Sequence, residues 1–356
     1  MSRQVEEVRG RKFERPVPAS EIDVAEAKKV LREKILEGLP ASPEDSFRSL
    51  VALGLIDEAP HLLDTLVDFY ASQVIAFYDP LPRRFFVVKG AEASGAGQEL
   101  KGFAQGLIFS HELTHALQDE SLQLDRRVKE LKDDSDRSLA LQCLLEGEAT
   151  LVMIRVALKD IPGADARAEE ELEPLLSAGT LERANVPKNV PDYFVDQLFF
   201  PYVDGTAYVR DAVRRGGWPE VDRLWKHPPD SSAEIIHGGP RPAPARGLLP
   251  ASGPPLAPGQ RLVYTDTLGE WTLRFLLRRA LPEGEAAQAA AGWRGDRIAF
   301  IASERAMGYV WRLRFDEPAS AERFAGALRN ARAIKPPSLR ETVERDGKDV
   351  AVKTLF

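Results

Sequence analysis

The sequence predicts an α+β fold, in which helices dominate the first two thirds of the chain and strands alternate with helices in the rest. In the first two thirds, long stretches carry apolar residues at helical spacing, and two β-rich runs interrupt them at 73–89. A Pro/Gly-rich stretch at 237–259 separates these helices from the alternating segment. We therefore expect domains at 1–245 and 260–356, joined by a linker at 246–259.

Helical periodicity and turn residues define the elements of the larger N-terminal part. The predicted helices cover 20–38, 60–72, a segment from about 103 onward, 137–160, 164–178 and 192–226. In SQVIAFYDPLPRRFFVVKG, the turn formers Asp79, Pro80 and Pro82 lie between two β-rich runs and predict a hairpin. The hairpin directly precedes the helix near 103, so we expect a sheet edge beside that helix, where an extended peptide could add as a strand.

The C-terminal part is predicted to be a small α+β unit without repeats. Its predicted elements are a strand at 260–265, a helix at 268–281, strands at 297–303 and 308–315, and a helix at 318–331. The dipeptide Asp346-Gly347 between alternating residues then predicts a terminal hairpin. No catalytic cluster is evident in this unit.

Composition excludes several classes of protein. With 356 residues and 44% hydrophobic content, the chain can bury a substantial core. The 48 basic and 55 acidic residues give a net charge of −7, which argues against nucleic acid or an anionic membrane as a partner. The single cysteine, Cys143, has apolar neighbours and is predicted to be a core residue.

No apolar run is long enough to span a membrane, and the first residues lack the apolar core of an export signal. We expect a soluble chain without an integral membrane segment, either cytoplasmic as it stands or exported after removal of a signal peptide. Its oligomeric state stays open.

The run SHELTHALQDE carries the strongest chemical signal. Five histidines occur in the whole chain, and two of them, His111 and His115, lie four residues apart in a predicted helix. Side chains at this spacing share one face and can bind the same ion. Glu112 is a charge within an otherwise uncharged stretch, and a divalent metal ion with its water would compensate its burial. The run therefore predicts a metal site.

A third ligand is needed, because catalytic zinc is held by three protein side chains and keeps one position open. Glu146 and Glu148 both interrupt the apolar helix at 137–160 but point in different directions. The line of residues that includes Glu146 is uncharged, whereas Glu148 shares its line with Arg155. We predict that Glu146 is the ligand and that Glu148 meets solvent, paired with Arg155 or a neighbour.

With these residues in place, the chain resembles the gluzincin metallopeptidases. Thermolysin-like enzymes share the run HELTHA, and aminopeptidase-type relatives carry their ligand Glu in an E-G-x-A sequence, as at 146–149. A wider resemblance is to uncharacterised bacterial and archaeal predicted zinc peptidases. The segments that correspond are Phe77 to Pro80, HELTHALQD, EGEAT, Asp204-Gly205, Gly216 to Trp218 and Leu268 to Glu270. The resemblance implies a zincin-like catalytic domain that binds Zn2+.

Two features depart from the thermolysin-like pattern. Thirty residues separate His115 from Glu146, so an inserted loop or a helix extension is expected between them. Thr150 occupies the position at which those enzymes place an Asp that orients a ligand histidine. Asp119, four residues after His115, is the candidate for that role here.

The predicted reaction is zinc-dependent hydrolysis of peptide bonds in a peptide or protein substrate, with Glu112 as the general base that activates a water molecule. The resemblance also implies a Tyr or His that stabilises the oxyanion, for which His237, Tyr202 and Tyr208 are available. The alternative is a catalytically inactive, zinc-stabilised binding or scaffold protein. Glu112 argues against it, because a structural zinc site has no need of a general base.

Overall fold

In the computed structural model, the chain has the predicted mixture of helices and small sheets. The structure describes residues 1–90, 98–161, 163, 167–169, 171, 186–250, 252–304, 306–336 and 339–355. The helices are α1 (Ser2–Arg9), α2 (Val24–Gly38), α3 (Pro43–Leu53), α4 (Leu62–Gln73), α5 (Gln98–Leu122), α6 (Leu124–Glu130), α7 (Ser135–Leu158), α8 (Asp192–Gly216), α9 (Trp218–Lys226), α10 (Ser232–Ile236), α11 (Gly269–Arg278), α12 (Glu283–Ala290) and α13 (Pro318–Asn330). The helix predicted at 164–178 falls largely outside the described residues.

The strands form two sheets. They are β1 (Ala19–Ile22), β2 (Ala76–Asp79), β3 (Arg84–Val88), β4 (Arg261–Asp266), β5 (Trp293–Ala302), β6 (Met307–Phe315), β7 (Arg340–Asp346) and β8 (Asp349–Leu355). The first sheet has the order β1-β3-β2, and the second has the order β4-β5-β6-β8-β7. All neighbours in the second sheet are antiparallel.

The small first sheet contains the predicted hairpin, formed by the antiparallel pair β2 and β3. Strand β1 pairs in parallel with the other edge of β3, residues 20–22 opposite 86–88. The prediction of helix from residue 20 is therefore wrong at its start. Asp23 ends the strand and caps α2, because its carboxylate accepts the backbone N–H of Glu26. Strand β2 is left as an edge strand that packs against α5.

Helix α7 lies between α5 and α8 and is buried along most of its length. It begins after Asp134, whose carboxylate accepts the N–H of Arg137 at 3.1 Å. It crosses α8 where Gly147 meets Gly205, so closely that a Cβ at residue 147 would lie 2.2 Å from the Gly205 carbonyl oxygen. Only residues without side chains permit this contact, so the segment of α7 that carries Glu146 lies directly against the α8 backbone.

The C-terminal elements follow their predicted order, with one additional helix, α12, that was not predicted. The hairpin at its end turns at Gly347, whose φ of 56° lies in the left-handed region that glycine adopts without strain. The fully buried Phe324 of α13 packs against the ring of Trp311 in β6. This covers one face of the five-stranded sheet with helix, as an α+β unit requires.

The N-terminal and C-terminal parts pack against each other. One buried apolar cluster includes Leu53 and Phe69 from the first part and Trp293 and Phe324 from the second. Helix α3 contacts β6, and α11 contacts α7. The stretch at 237–259 has no helix or strand among its described residues. The division into two domains stays a prediction.

Two further predictions can be compared with the described residues. Cys143 is fully buried and free, which confirms its assignment to the core. Among the helices that the structure describes, none combines the length and apolar content needed to cross a membrane.

Candidate metal centre

The predicted ligands His111, His115 and Glu146 come together where α5 packs against α7. His111 Nε2 lies 3.1 Å from Glu146 Oε2 and 3.1 Å from His115 Nε2, and His115 Nε2 lies 3.3 Å from Glu146 Oε2. Among the described residues, they are the one group of three or more His, Cys, Asp or Glu whose ligand atoms all lie within 4.8 Å of one another. His111 is buried, and the other two side chains are partly exposed.

These separations fit a tetrahedral metal ion. Ligand bonds of about 2.0–2.1 Å at tetrahedral angles place the ligand atoms about 3.3 Å apart. Two imidazole nitrogens and a carboxylate oxygen are also a donor set that divalent transition metals accept. The two Nε2 atoms can share only one proton between them, so a metal ion satisfies all three atoms more completely than hydrogen bonds do. The residues therefore fit a divalent metal ion with one position left for water.

The same three atoms attract a proton. Burial opposes a charged His115, but the carboxylates of Glu146 and Glu112 outweigh burial and raise the pKa of His115 to about 10. Burial alone would raise the pKa of Glu146. The charge of His115 and hydrogen bonds from both histidines nevertheless hold that pKa well below its ordinary range. A metal ion held by these atoms would displace a proton, so its affinity would fall as pH falls.

Glu112 lies beside this group without belonging to it. Its Oε2 accepts the backbone N–H of Tyr78, in the edge strand β2, at 2.9 Å. Burial raises the pKa of Glu112, although the charges of His115 and His111 partly offset it. A carboxylate that is held in place, lies outside the ligand group and has a raised pKa is suited to accept a proton.

Tyr202 of α8 is the tyrosine that the structure places at the metal centre. Its ring stacks on His111 with centroids 5.7 Å apart and planes at 13°. Burial, followed by the charges of the Glu146 and Glu112 carboxylates, raises the pKa of Tyr202 well above its ordinary value. The hydroxyl therefore stays protonated and can donate a hydrogen bond within the site.

The other two oxyanion candidates have their described contacts elsewhere. His237 Nε2 lies 3.0 Å from both carboxylate oxygens of the fully buried Glu270, which also accepts hydrogen bonds from Arg274. Tyr208 is buried, and burial, followed by the charge of Glu234, raises its pKa. Of the three candidates, the structure brings only Tyr202 into contact with the proposed ligands.

Asp119 does not orient a ligand histidine, contrary to the prediction. Its Oδ2 accepts the hydroxyl of Tyr78 at 2.9 Å, and its Oδ1 accepts the N–H of Leu124 at 2.9 Å. It therefore supports the strand whose backbone N–H at Tyr78 holds Glu112. Gln118 contacts the ligand instead, with its Oε1 2.9 Å from His115 Nδ1. The spacing of three residues puts this amide beside the ring on the same helix face.

The prediction that Glu148 meets solvent is wrong. Its side chain is fully buried, forms an ion pair with Arg9 of α1 and accepts the indole N–H of Trp225 at 2.7 Å. Arg155, the predicted partner, pairs with Glu169 instead. The prediction failed because the polar residues on this face of α7 indicated exposure to solvent. In the structure, α1 and α9 cover that face.

Sequence reasoning missed Gln118 and Arg9. A signal for Gln118 was present, since it is an amide three residues after His115 and so lies on the same helix face as both histidines. Arg9 gave no signal, because 139 residues separate it from Glu148. Thr150, at the position of the orienting Asp in thermolysin-like enzymes, has a buried hydroxyl with no hydrogen-bond partner among the described residues.

A small pocket of about 110 Å³ opens beside His111 and Glu112. It is smaller than typical small-molecule sites of about 300–1,000 Å³, and its size suits a single side chain. The apolar part of its wall consists of Tyr70, Val74, Ile75, Ala76, Ile108 and Leu198.

Comparison with known proteins gives one match. Residues 260–353 match a family model described as a domain of unknown function, DUF8575. The match covers the five-stranded sheet and its helices and does not include the metal centre. Searches of curated proteins and of solved structures found no match.

Proposed function

We propose that the protein is a zinc-dependent metallopeptidase, in which His111, His115 and Glu146 hold the zinc ion and Glu112 is the general base. In this proposal, residues 1–245 form a zincin-like catalytic domain. The observation that carries it is the combination of three ligand atoms at tetrahedral separations with a fourth, non-ligating carboxylate beside them. Structural zinc sites usually have four protein ligands, whereas catalytic sites have three.

Zinc is the metal that this donor set favours. Two histidines and one glutamate form a ligand set of catalytic zinc, and it lacks the all-oxygen character that calcium and magnesium require. Bound zinc would act as a Lewis acid and lower the pKa of a water molecule toward neutrality.

The protein residues then have separate roles in amide hydrolysis. Glu112 accepts the proton of the water that attacks the scissile carbonyl carbon, and passes it to the leaving amine nitrogen. The N–H of Tyr78 fixes one oxygen of this carboxylate and leaves the other for the proton transfer. The protonated hydroxyl of Tyr202 is the proposed donor to the carbonyl oxygen as negative charge develops on it.

Substrate binding is proposed along the free edge of β2. Tyr78 donates its N–H toward Glu112 and away from β3, so this edge faces the metal centre. An extended peptide can pair with such an edge through its backbone. The small apolar pocket beside Glu112 would then take one apolar side chain next to the scissile bond.

The test is cleavage of an unbiased peptide library by the zinc-loaded wild-type chain and by Glu112→Gln, with products identified by mass spectrometry. We expect cleavage next to apolar residues by the wild type. Glu112→Gln should lose about 10²–10⁴-fold of this activity while keeping its zinc, because it lacks the proton acceptor but none of the ligands. Glu120→Gln is the matched control: it lies on the same helix outside the metal group and should retain full activity.

Three outcomes would contradict the proposal. A wild-type chain that holds zinc but cleaves no peptide would favour a zinc-stabilised binding protein. Undiminished cleavage by Glu112→Gln would mean that the activity comes from another site. Loss of zinc in Glu112→Gln would make Glu112 a ligand.

A further inference from the structure

We propose that Arg9, Glu148 and Gln118 form a chain of buried contacts that orients His115 toward the metal ion. Through this chain, the N-terminal helix α1 becomes part of the metal site, although none of the three residues is a metal ligand. The inference rests on the proposed function and extends it to positioning residues. We call these three residues the orienting chain.

The Gln118 amide can face in only one direction. Its NH2 group donates to the Leu145 carbonyl oxygen at 2.9 Å and to Glu148 Oε2 at 2.9 Å, and both of these atoms can only accept. Its Oε1 must therefore face His115 Nδ1, at 2.9 Å. An oxygen acceptor at this position requires Nδ1 of His115 to carry the proton, which leaves the Nε2 lone pair free for the metal ion.

Glu148 in turn accepts a hydrogen bond in each of its described contacts. Its Oε2 accepts from Gln118 and from the indole of Trp225, and its Oε1 accepts from Arg9. With its side chain fully buried, this carboxylate depends on these donors to offset its lost hydration. Glu148 therefore holds the Gln118 amide in the direction that fixes the tautomer of His115.

Arg9 supplies the positive charge. Its side chain is fully buried, and besides Glu148 it donates to Asp222 Oδ1 at 2.6 Å. Its guanidinium carbon lies 4.6 Å from the ring centroid of Trp218 and 4.8 Å from that of Trp225. The guanidinium is therefore held between two aromatic faces and two carboxylates. The chain of contacts that ends at His115 of α5 thus begins at Arg9 of α1.

The test measures metal binding independently of catalysis. The zinc dissociation constant is obtained by competition with a chelator, and the visible spectrum of the Co2+-substituted chain reports the coordination geometry. Gln118→Leu should weaken zinc binding about 10–100-fold and alter the Co2+ spectrum, as losses of such supporting contacts do. Circular dichroism and unfolding of the metal-free chain check that the variant folds.

A double-mutant cycle tests whether Glu148 acts through Gln118. Glu148→Gln should weaken zinc binding in the wild-type background and cause no further loss in Gln118→Leu. Arg9→Met should behave like Glu148→Gln. Arg11→Met is the matched control, because Arg11 contacts Asp222 and Trp225 but not Glu148, and it should leave zinc binding unchanged.

The cycle of Glu148→Gln and Gln118→Leu tests the orienting chain even if Arg9→Met does not fold. Wild-type zinc affinity and an unchanged Co2+ spectrum in Gln118→Leu would overturn the orienting chain and leave the peptidase proposal intact. Equal losses from Glu148→Gln in both backgrounds would overturn it as well, because Glu148 would then act by another route. A wild-type chain that binds no zinc would overturn both proposals.

Discussion

Substitution of Gly147 by alanine tests how the proposed metal centre is assembled. The added Cβ would lie 2.2 Å from the carbonyl oxygen of Gly205 and 2.3 Å from its carbonyl carbon. Carbon–oxygen contacts of about 3.3 Å are among the closest that proteins tolerate. Helices α7 and α8 must therefore move apart by about 1 Å where they cross.

This displacement affects both stability and the site. The obstacle is backbone on both helices, so no side chain can rotate away, and over-packing of this kind costs about 1–3 kcal/mol or more. Glu146 directly precedes Gly147 on α7, and Tyr202 lies on α8, so the same movement separates the side chains of Glu146 and Tyr202. Errors of about 1 Å in catalytic geometry can reduce the rate by about 100-fold.

The free energy of unfolding from denaturant titration, the zinc dissociation constant and peptide cleavage are measured together. Gly147→Ala should lower the free energy of unfolding, weaken zinc binding and slow peptide cleavage. Gly326→Ala is the matched control: residue 326 lies within α13 with no atom within 4 Å of its added Cβ, and helix propensity should stabilise it by up to about 1 kcal/mol. If Gly147→Ala retained wild-type stability and zinc affinity, the backbone contact would not determine the geometry of the site.

Two other predictions concern Tyr202 and Asp266. Tyr202→Phe keeps the ring that stacks on His111 but removes the hydroxyl, so kcat should fall about 10²–10³-fold with zinc retained, and an unchanged kcat would exclude Tyr202 as the oxyanion donor. Burial raises the pKa of Asp266 to about 7, so the folded chain binds this proton more tightly than the unfolded chain. Stability from this group is greatest below pH of about 4 and is lost toward pH 7, by up to about 1.4 kcal/mol per pH unit. Denaturant titrations between pH 4 and pH 7 should show that the free energy of unfolding falls less in Asp266→Asn than in the wild type. An identical dependence on pH in the two proteins would refute the assignment to Asp266.

Local patterns predicted much of the site. The four-residue spacing of His111 and His115 fixes their common face on any helix, and the turn formers around Pro80 fix a hairpin immediately before that helix. The uncharged neighbours of Glu146 correctly singled it out as the carboxylate that joins them. Each of these inferences uses residues that are close in sequence, where helix and strand geometry alone determine the outcome.

Contacts between distant segments explain what the sequence did not reveal. Glu148 looked exposed because Arg155 and Lys159 share its helix face, and its actual partner, Arg9, is 139 residues away. Residues 20–22 form a strand because they pair with β3, a partner that helical periodicity cannot indicate. The Gln118 amide is fixed by two acceptors on α7, which the sequence around Gln118 does not indicate.

The most direct test of the proposed metal centre is the zinc content of the purified chain after reconstitution with zinc and exhaustive dialysis. We expect about one zinc ion per wild-type chain and essentially none in His115→Ala, which removes one of three ligands. Absence of zinc from the reconstituted wild type, or full retention of zinc by His115→Ala, would contradict the account.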